Sequence, residues 1–211
     1  MKAILFDLDG TVLDTREMIL NSFRYAYSTV FGTDTLPPED KLLSLIGIPL
    51  KTQMEIIAPD KSEEMFEAYI KNNREVQHTL LKGFDGMAEA LAALLDKGLR
   101  LAVVTSKRHE PAVEGLELME LAHYFELVCG SDDTKEHKPK PEPLLEAARQ
   151  MGLTAHECAY VGDSPFDMQA ARAASMYAVG VLWGIFSKEV LLDAGAEVLL
   201  SAVSELPELF A

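Results

Sequence analysis

The sequence predicts an α/β fold, a doubly wound parallel sheet into which an all-helical segment is inserted. From about residue 85 onward, short runs rich in Val and Ala alternate with segments whose apolar residues recur at helical spacing. This alternation is typical of βαβ units and a parallel sheet. Between residue 15 and about residue 81 the alternation stops, and helical patterns follow one another with no clear strand between them. The chain therefore divides into a sheet-forming core and a helical insertion.

The predicted strands are short and almost wholly apolar. The first is AILF (Ala3–Phe6), and four more follow: RLAVV (Arg100–Val104), ELVC (126–129), CAYV (158–161) and YAVGVL (177–182). Helical patterns lie between them in MAEALAALLDKG, EPAVEGLELMEL, EPLLEAARQMG and FDMQAARAAS. In a doubly wound sheet such helices cover both faces.

The helical insertion carries its own turn signals. Gly32, Pro37-Pro38, Pro49 and Pro59 separate the patterns REMILNSFRYAYSTVF, PEDKLLSLIG, LKTQMEIIA and KSEEMFEAYIKNNREVQHTLL. Residues 15–81, called the cap segment below, are predicted to form one domain. Residues 1–14 and 82–211 are predicted to form the core domain.

Composition and charge exclude several classes of function. Of the 211 residues, 48% are apolar, which is ample for a core. A net charge of −15 argues against binding to nucleic acid or to an anionic membrane surface. There is no signal-peptide pattern and no apolar run of the roughly 18 residues that span a membrane. Cys129 and Cys158 lack CxxC spacing and are expected to be buried free thiols, so a cytoplasmic location is expected.

Polar residues cluster where the predicted strands end and in the loops that follow. Ligands of doubly wound sheets bind outside the carboxyl ends of the strands, so these clusters are expected to share one cleft. Asp7 and Asp9 stand two apart on an extended segment, and their side chains therefore share a face. Like charges so close call for a neighbouring cation. The other members of the expected cleft are Thr105, a lysine, Asp163 and Asp167.

Four motifs, in order, resemble those of the haloacid dehalogenase-like superfamily of phosphotransferases. They are DLDGT, VVTSK, HKPKPEP and GDSPFD, and together they extend over most of the chain. The cap segment is similar to the helical cap that this superfamily inserts after its first motif. DxDGT alone arises by chance in about one chain in a thousand. The resemblance implies a Rossmann-like core and phosphoryl-transfer chemistry.

The resemblance also implies a role for each matched residue. Asp7 is the implied nucleophile, which forms an aspartyl-phosphate, and Asp9 is the implied general acid and base. The implied cofactor is Mg²⁺, a hard ion that takes a few protein carboxylates and keeps waters and phosphate oxygens. The implied metal-site residues are Asp7, Asp9 through its main-chain carbonyl, Asp163, and Asp167 behind them. The implied phosphate and substrate contacts are Thr105, Ser106, Lys138 and Gly47 of the SLIGIPL turn.

Single positions narrow the expected reaction. Dehalogenases of the superfamily have an aromatic residue in place of Asp9, and phosphonate hydrolases have a small one, so neither reaction is expected here. The sugar-phosphate mutases have a His in the position of Ile19, which argues against a mutase reaction. The sequence looks most similar to phosphoglycolate phosphatases with a small phosphorylated metabolite as substrate. Pyrophosphatases and sugar or nucleotide phosphatases are alternatives, and a mutase-like isomerase or a non-catalytic phospho-switch is a remote one. A monomer or homodimer is expected.

Several charged residues have a second interpretation. Asp14 is expected to cap a helix, and Lys140 is expected to face solvent. Asp167 either caps the following helix, or caps it and also supports the metal site. Arg16 and Lys51 are candidate contacts for a substrate carboxylate, although charges of this kind usually face solvent.

Three further expectations concern other residue types. Ser175 stands where the superfamily usually ends a helix with Gly, which predicts a left-handed residue there. Trp183 is expected to pack beside the fifth strand. The five histidines show no metal-ligand spacing, and surface or structural positions are expected for them. His137 adjoins Lys138, so the alternative for this histidine is a position that reaches the cleft.

Overall fold

A computed structural model, which describes residues 1–32 and 36–210, contains a six-stranded parallel sheet in the order β5-β4-β1-β6-β7-β8. Its strands are β1 (Ala3–Phe6), β4 (Arg100–Val104), β5 (Leu127–Cys129), β6 (Cys158–Gly162), β7 (Tyr177–Val181) and β8 (Val198–Leu200). The strand order reverses at β1, which lies between β4 and β6. The predicted doubly wound fold is confirmed.

Helices cover both faces of this sheet. They are α5 (Met87–Asp96), α6 (His109–Leu118), α7 (Glu142–Gln150), α8 (Pro165–Ala174), α9 (Lys188–Asp193) and α10 (Leu206–Leu209). Ile4 and Phe6 of β1 belong to the apolar cluster formed with α5 and α6. Ala3 and Leu5 point to the opposite cluster, formed with α7 and α8. Because β1 is buried on both faces, its sequence is a continuous apolar run.

The cap segment has an apolar cluster of its own. Its helices are α1 (Arg16–Phe31), α2 (Glu39–Leu43), α3 (Leu50–Ile57) and α4 (Ser62–Leu80). Phe23 of α1 meets Tyr69 of α4 edge to face, with ring centroids 5.1 Å apart. The buried Asn73 amide donates to Ser22 Oγ at 3.1 Å and so ties α4 to α1. These contacts give the segment a core that is separate from the two clusters beside the sheet.

A short antiparallel pair lies where the chain enters and leaves the cap segment. β2 (Leu13–Asp14) pairs with β3 (Lys82–Gly83). The sequence analysis did not predict this pair, nor β8, α9 and α10. The division into domains at residues 14 and 82 stays a prediction, although the pair lies at both of those boundaries.

Several single-residue expectations can be compared with the structure. Cys129 and Cys158 are buried free thiols, as predicted. Trp183 packs at the edge of the cluster beside α5, and its indole N–H donates to the Thr11 carbonyl at 3.0 Å. In the described part of the chain, no helix has the length and apolar character needed to cross a membrane.

Ser175 ends α8 in the left-handed conformation, with φ 59° and ψ 35°. A side chain in this region costs roughly 1 kcal/mol, which glycine avoids. Ser175→Gly is therefore expected to raise the free energy of unfolding in urea by about 0.5–1 kcal/mol.

Ser62 provides the matched control, because it has ordinary helical angles of φ −59° and ψ −38°. Ser62→Gly should lower the free energy of unfolding by about 0.5–1 kcal/mol. A loss of stability in Ser175→Gly would contradict the interpretation of Ser175 as a strained helix end.

Candidate active site

Three adjacent strands bring the polar motifs together at one edge of the sheet. β4, β1 and β6 are neighbours and parallel, so the residues after their carboxyl ends meet there. Thr105 follows β4, Asp7 follows β1, and Asp163 follows β6. All three are at least 95% buried. The sheet topology therefore places the residues of three separate motifs in one buried site.

Lys138 joins the buried acids at the centre of this site. Its ammonium donates to Asp7 Oδ1 at 2.8 Å, to Asp167 Oδ1 at 2.6 Å and to the Tyr160 hydroxyl at 2.9 Å. The Tyr160 hydroxyl in turn donates to the Val104 carbonyl at 2.7 Å. All three N–H bonds of Lys138 are therefore used, and its position is fixed from three directions.

Burial and like charge act together on the acids. Burial raises the pKa of Asp7 to about 7; the charge of Lys138 lowers it, and the charges of Asp167 and Asp9 raise it. Burial also raises the pKa of Asp163 well above its usual range, with Asp167 and Asp7 adding to the effect. Burial alone lowers the pKa of Lys138, but Asp167 and Asp7 outweigh it and keep this lysine charged. The cluster therefore holds more negative charge than its one buried lysine neutralises.

The cluster has the donor set of a divalent metal site. Carboxylate oxygens of Asp7, Asp163 and Asp167 lie within 4.8 Å of one another. One Asp163 oxygen accepts the Ile185 N–H at 2.7 Å; the other is buried and has no hydrogen-bond partner among the described residues. Carboxylates are the ligands that Mg²⁺ prefers, and a cation would satisfy both the unpaired oxygen and the excess charge. These residues fit a Mg²⁺ ion.

Asp167 has two structural roles at once. Its Oδ2 accepts from the Ser164 N–H at 2.9 Å and the Ser164 hydroxyl at 2.6 Å, which caps the start of α8. Its Oδ1 binds Lys138. Of the two alternatives for Asp167, the geometry favours the one that combines capping with a place in the carboxylate cluster.

The Asp9 carboxylate has a different cationic partner from the acids that Lys138 joins. Lys107 Nζ lies 2.9 Å from Asp9 Oδ1 and 3.3 Å from Asp9 Oδ2. The Lys107 N–H also donates to Thr105 Oγ1 at 3.2 Å. The sequence indicated no role for Lys107, which lies within VVTSK, and none for Tyr160. The only sequence feature that could have indicated Tyr160 is a tyrosine within a buried strand.

The cap segment contacts the core directly at this site. Ser106 Oγ donates to the Gly47 carbonyl at 2.6 Å, across the boundary between the two parts. Gly47 has φ 109°, and a Cβ there would lie 2.8 Å from both Phe166 Cδ2 and Ser164 Oγ. Only a residue without a side chain fits between these loops.

The cap segment and the core enclose a cavity of about 420 Å³. Asp7, Asp9 and residues 105–108 line its core side, and α3, α4 and residues 46–49 line the other side. His137, the histidine next to Lys138 that was a candidate to reach the cleft, also lines this cavity. Asp7 and Asp9 thus face a partly open cavity large enough for a small organic molecule.

The charged residues that were candidates for substrate contacts or for helix capping lie in different parts of the structure. Lys51 lines the cavity, 4.0 Å from Glu63. Arg16 instead forms an exposed ion pair with Glu39 at 3.1 Å, outside the residues that line the cavity. The expectation that Asp14 caps a helix is wrong: Thr15 is the N-cap residue of α1, and Asp14 precedes it, with its Oδ1 3.4 Å from the Arg16 N–H.

Lys140 is exposed, as expected, and pairs with Glu136. Its neighbour Lys138, two residues away, is 3% exposed. The KPKP segment thus places one lysine in the site and the other in solvent.

The centre of the site is acidic and fits a metal ion, and comparisons with known proteins identify the family. The family model for haloacid dehalogenase-like hydrolases matches residues 4–181. The chain belongs to this family. The predicted family, fold class and enzymatic nature are confirmed.

Two bacterial relatives are similar over nearly their whole length. One from Caldanaerobacter subterraneus, provisionally named pyrophosphatase PpaX, is 38% identical over 90% of this chain and 85% of its own. The pyrophosphatase PpaX of Bacillus pumilus is 31% identical over 98% of this chain and 94% of its own.

Solved structures show the same fold. A predicted phosphatase from Clostridium acetobutylicum superposes with a TM-score of 0.88 at 28% identity, covering 99% of this chain and 97% of its own. A predicted phosphoglycolate phosphatase from Haemophilus somnus gives a TM-score of 0.91 at 23% identity, with 100% and 98% covered.

The charge of Asp163 is expected to destabilise the metal-free protein. Folding raises the pKa of Asp163 well above its usual range and that of the neighbouring Asp7 to about 7. Above about pH 4 these two carboxyls therefore bind more protons in the folded chain than in the unfolded chain, and their contribution to stability falls as the pH rises. Asp163→Asn without metal at pH 8 should raise the midpoint of thermal unfolding by about 2–8 °C, and Mg²⁺ should no longer raise it further. Scanning calorimetry at pH 5.5 and pH 8, with and without Mg²⁺, measures both.

Asp96→Asn is the control for this experiment, because Asp96 is exposed at the end of α5. This variant should keep the pH dependence and the Mg²⁺ response of the unmodified chain. A Mg²⁺ response that persists in Asp163→Asn would contradict a metal site at this carboxylate.

Gly47→Ala is expected to displace the loop that closes the cavity, because the new Cβ would overlap Phe166 and Ser164. Turnover of phosphate esters should fall at least about tenfold, because misplacing a positioning group by about 1 Å costs up to 10²-fold. Gly83→Ala, with nothing within 4 Å of the new Cβ, should retain full activity. Equal rates for the two variants would show that closure at Gly47 is unnecessary.

Proposed function

We propose that this protein is a Mg²⁺-dependent phosphatase that hydrolyses small phosphate monoesters through an aspartyl-phosphate on Asp7. One observation carries the proposal: the Asp7 carboxylate is held by Lys138 in a buried acidic cluster and faces the cavity. The family membership supports it, and the sequence resemblance implies the same nucleophile.

The proposed reaction has two steps. An Asp7 oxygen attacks phosphorus, and the bond to the leaving oxygen breaks as Asp9 gives that oxygen a proton. Asp9 then takes a proton from water, which attacks phosphorus and releases phosphate and free Asp7. Asp9 is suited to this role because it lines the cavity beside Asp7 while Lys107 holds its carboxylate in place.

Cations near Asp7 balance the charge of the phosphate group. Lys138 fixes Asp7, and the proposed donors to phosphate oxygens are the Thr105 hydroxyl and the main-chain amides around Ser106, whose own hydroxyl already donates to the Gly47 carbonyl. The proposed Mg²⁺ ligands are Asp7, Asp163 and the main-chain carbonyl of Asp9, with Asp167 supporting them. When bound, the ion supplies positive charge next to the transferred phosphoryl group.

Two more specific activities remain candidates. Relatives at 30–38% identity are named pyrophosphatase PpaX, which favours pyrophosphate as an alternative substrate. The sequence resembles phosphoglycolate phosphatases, which favours phosphoglycolate. The cytoplasmic location and the state of monomer or homodimer stay predictions.

Asp7→Asn should lower phosphate release at least about 10³-fold, because the amide is not a nucleophile and the covalent step is lost. Phosphate release from a panel of phosphate monoesters, pyrophosphate and phosphoglycolate, each with Mg²⁺, measures this. Removing Mg²⁺ with a chelator should abolish turnover by the unmodified chain, and adding the ion back should restore it.

Asp96→Asn again serves as the control and should retain full turnover, since its side chain is exposed and outside the residues that line the cavity. Circular dichroism would establish that Asp7→Asn is folded. Unchanged turnover in a folded Asp7→Asn variant would remove Asp7 from the role of nucleophile.

A further inference from the structure

The cap side of the cavity is mainly apolar. Phe66, Tyr69, Ile70 and Asn73 all lie on one face of α4, at the i, i+3, i+4 and i+7 positions. Other parts of the cap segment add Ile19, Ile46, Ile48 and Leu50. The half-buried side chains of Phe66 and Ile70 therefore present apolar surface to the space in front of Asp7 and Asp9.

The amides on this side are already engaged. The Asn73 amide donates to Ser22 Oγ at 3.1 Å, and the Gln53 amide donates to the Ile48 carbonyl at 2.8 Å. Both bonds lie within the cap segment. The N–H groups nearest the apolar surface thus help to hold the helices together.

The cationic side chains that line the cavity each have an acidic partner that also lines it. Lys107 lies 2.9 Å from Asp9, Arg108 lies 3.3 Å from Asp132, and Lys51 lies 4.0 Å from Glu63. Asp7 is a fourth acid in the lining, and Lys138 pairs with it, so each of these cations has an acid beside it. The Lys107–Asp9 pair is the largely buried one, with side chains 18% and 17% exposed, so an anionic leaving group beside Asp9 would have to separate this pair or stay unpaired there, and either costs free energy.

We propose that the leaving group of the substrate is an uncharged, mainly apolar alcohol bound against α4, rather than a second phosphate or a carboxylate-bearing group. The inference rests on the proposed phosphatase function and specifies its substrate class. The phosphoryl group lies at Asp7, and the alcohol portion extends from Asp9 toward Phe66 and Ile70. A cavity of about 420 Å³ has room for such a group in addition to the phosphoryl group.

Straight-chain alkyl phosphates from methyl to pentyl test this directly, because their alcohols have similar acidity and differ mainly in apolar area. Burial of each methylene is worth a factor of up to about four in binding. We therefore expect kcat/KM to rise roughly two- to fourfold per carbon, and at least about tenfold from methyl to pentyl phosphate. Pyrophosphate and phosphoglycolate should show lower kcat/KM than pentyl phosphate.

Ile70→Ala removes part of the apolar surface and should lower the pentyl-to-methyl ratio of kcat/KM about three- to tenfold. Ile56→Ala is the matched control: Ile56 also lies in the cap segment, but it is 50% exposed and outside the cavity lining. This control should keep the ratio of the unmodified chain.

Binding of alkylphosphonates to the unmodified chain, measured by calorimetry with Mg²⁺ present, gives a readout that needs neither turnover nor a variant. Their affinity should also rise with chain length. Phosphate release with a flat chain-length profile, or with pyrophosphate or phosphoglycolate preferred, would overturn this inference and leave the proposed function intact. Phosphate release from none of the compounds would overturn the proposed function itself.

Discussion

The site depends on one buried lysine that holds acids from two different motifs. Lys138 bonds to Asp7 and Asp167 at once, while the nearby Asp163 keeps one oxygen unpaired among the described residues. Removing one partner of a buried ion pair typically costs 3–5 kcal/mol, so the loops that carry these residues cannot move independently. Tyr160, anchored on the Val104 carbonyl, fixes the remaining direction. The excess of negative charge destabilises the metal-free protein at this edge of the sheet, and it also makes this edge a site for a cation.

Much of the core followed from the sequence because its signals are local. Strands β1 and β4 were predicted with the bounds they have, and a strand buried on both faces shows as an unbroken apolar run. The helix Arg16–Phe31 was likewise predicted by its spacing and by Gly32, which ends it in the left-handed conformation. The motif residues could be assigned to one cleft because the topology of a parallel sheet brings the carboxyl ends of its strands together.

The features that the sequence did not reveal depend on contacts between distant segments. The three-residue strand β8 shows no alternation, and β2 and β3 are two residues each, too short for any periodic pattern. The partnership of Lys107 with Asp9 spans 98 residues, and that of Tyr160 with Lys138 needs a side chain to cross from β6 to a neighbouring loop. How the cap segment meets the core, through Ser106 and Gly47, is likewise a matter of tertiary packing.

The core and the cap segment contribute different kinds of side chain to the site. The core contributes the groups that a phosphoryl transfer requires, and these are fixed by the sheet and by Lys138. The cap segment contributes mainly apolar side chains from α4, together with a lysine that already faces an acid. Substitutions along one face of α4 can therefore change the shape and polarity of the cavity without touching Asp7, Lys138 or Asp163. Because the charged groups are held by the core, selectivity for the leaving group can vary while the reacting centre stays the same.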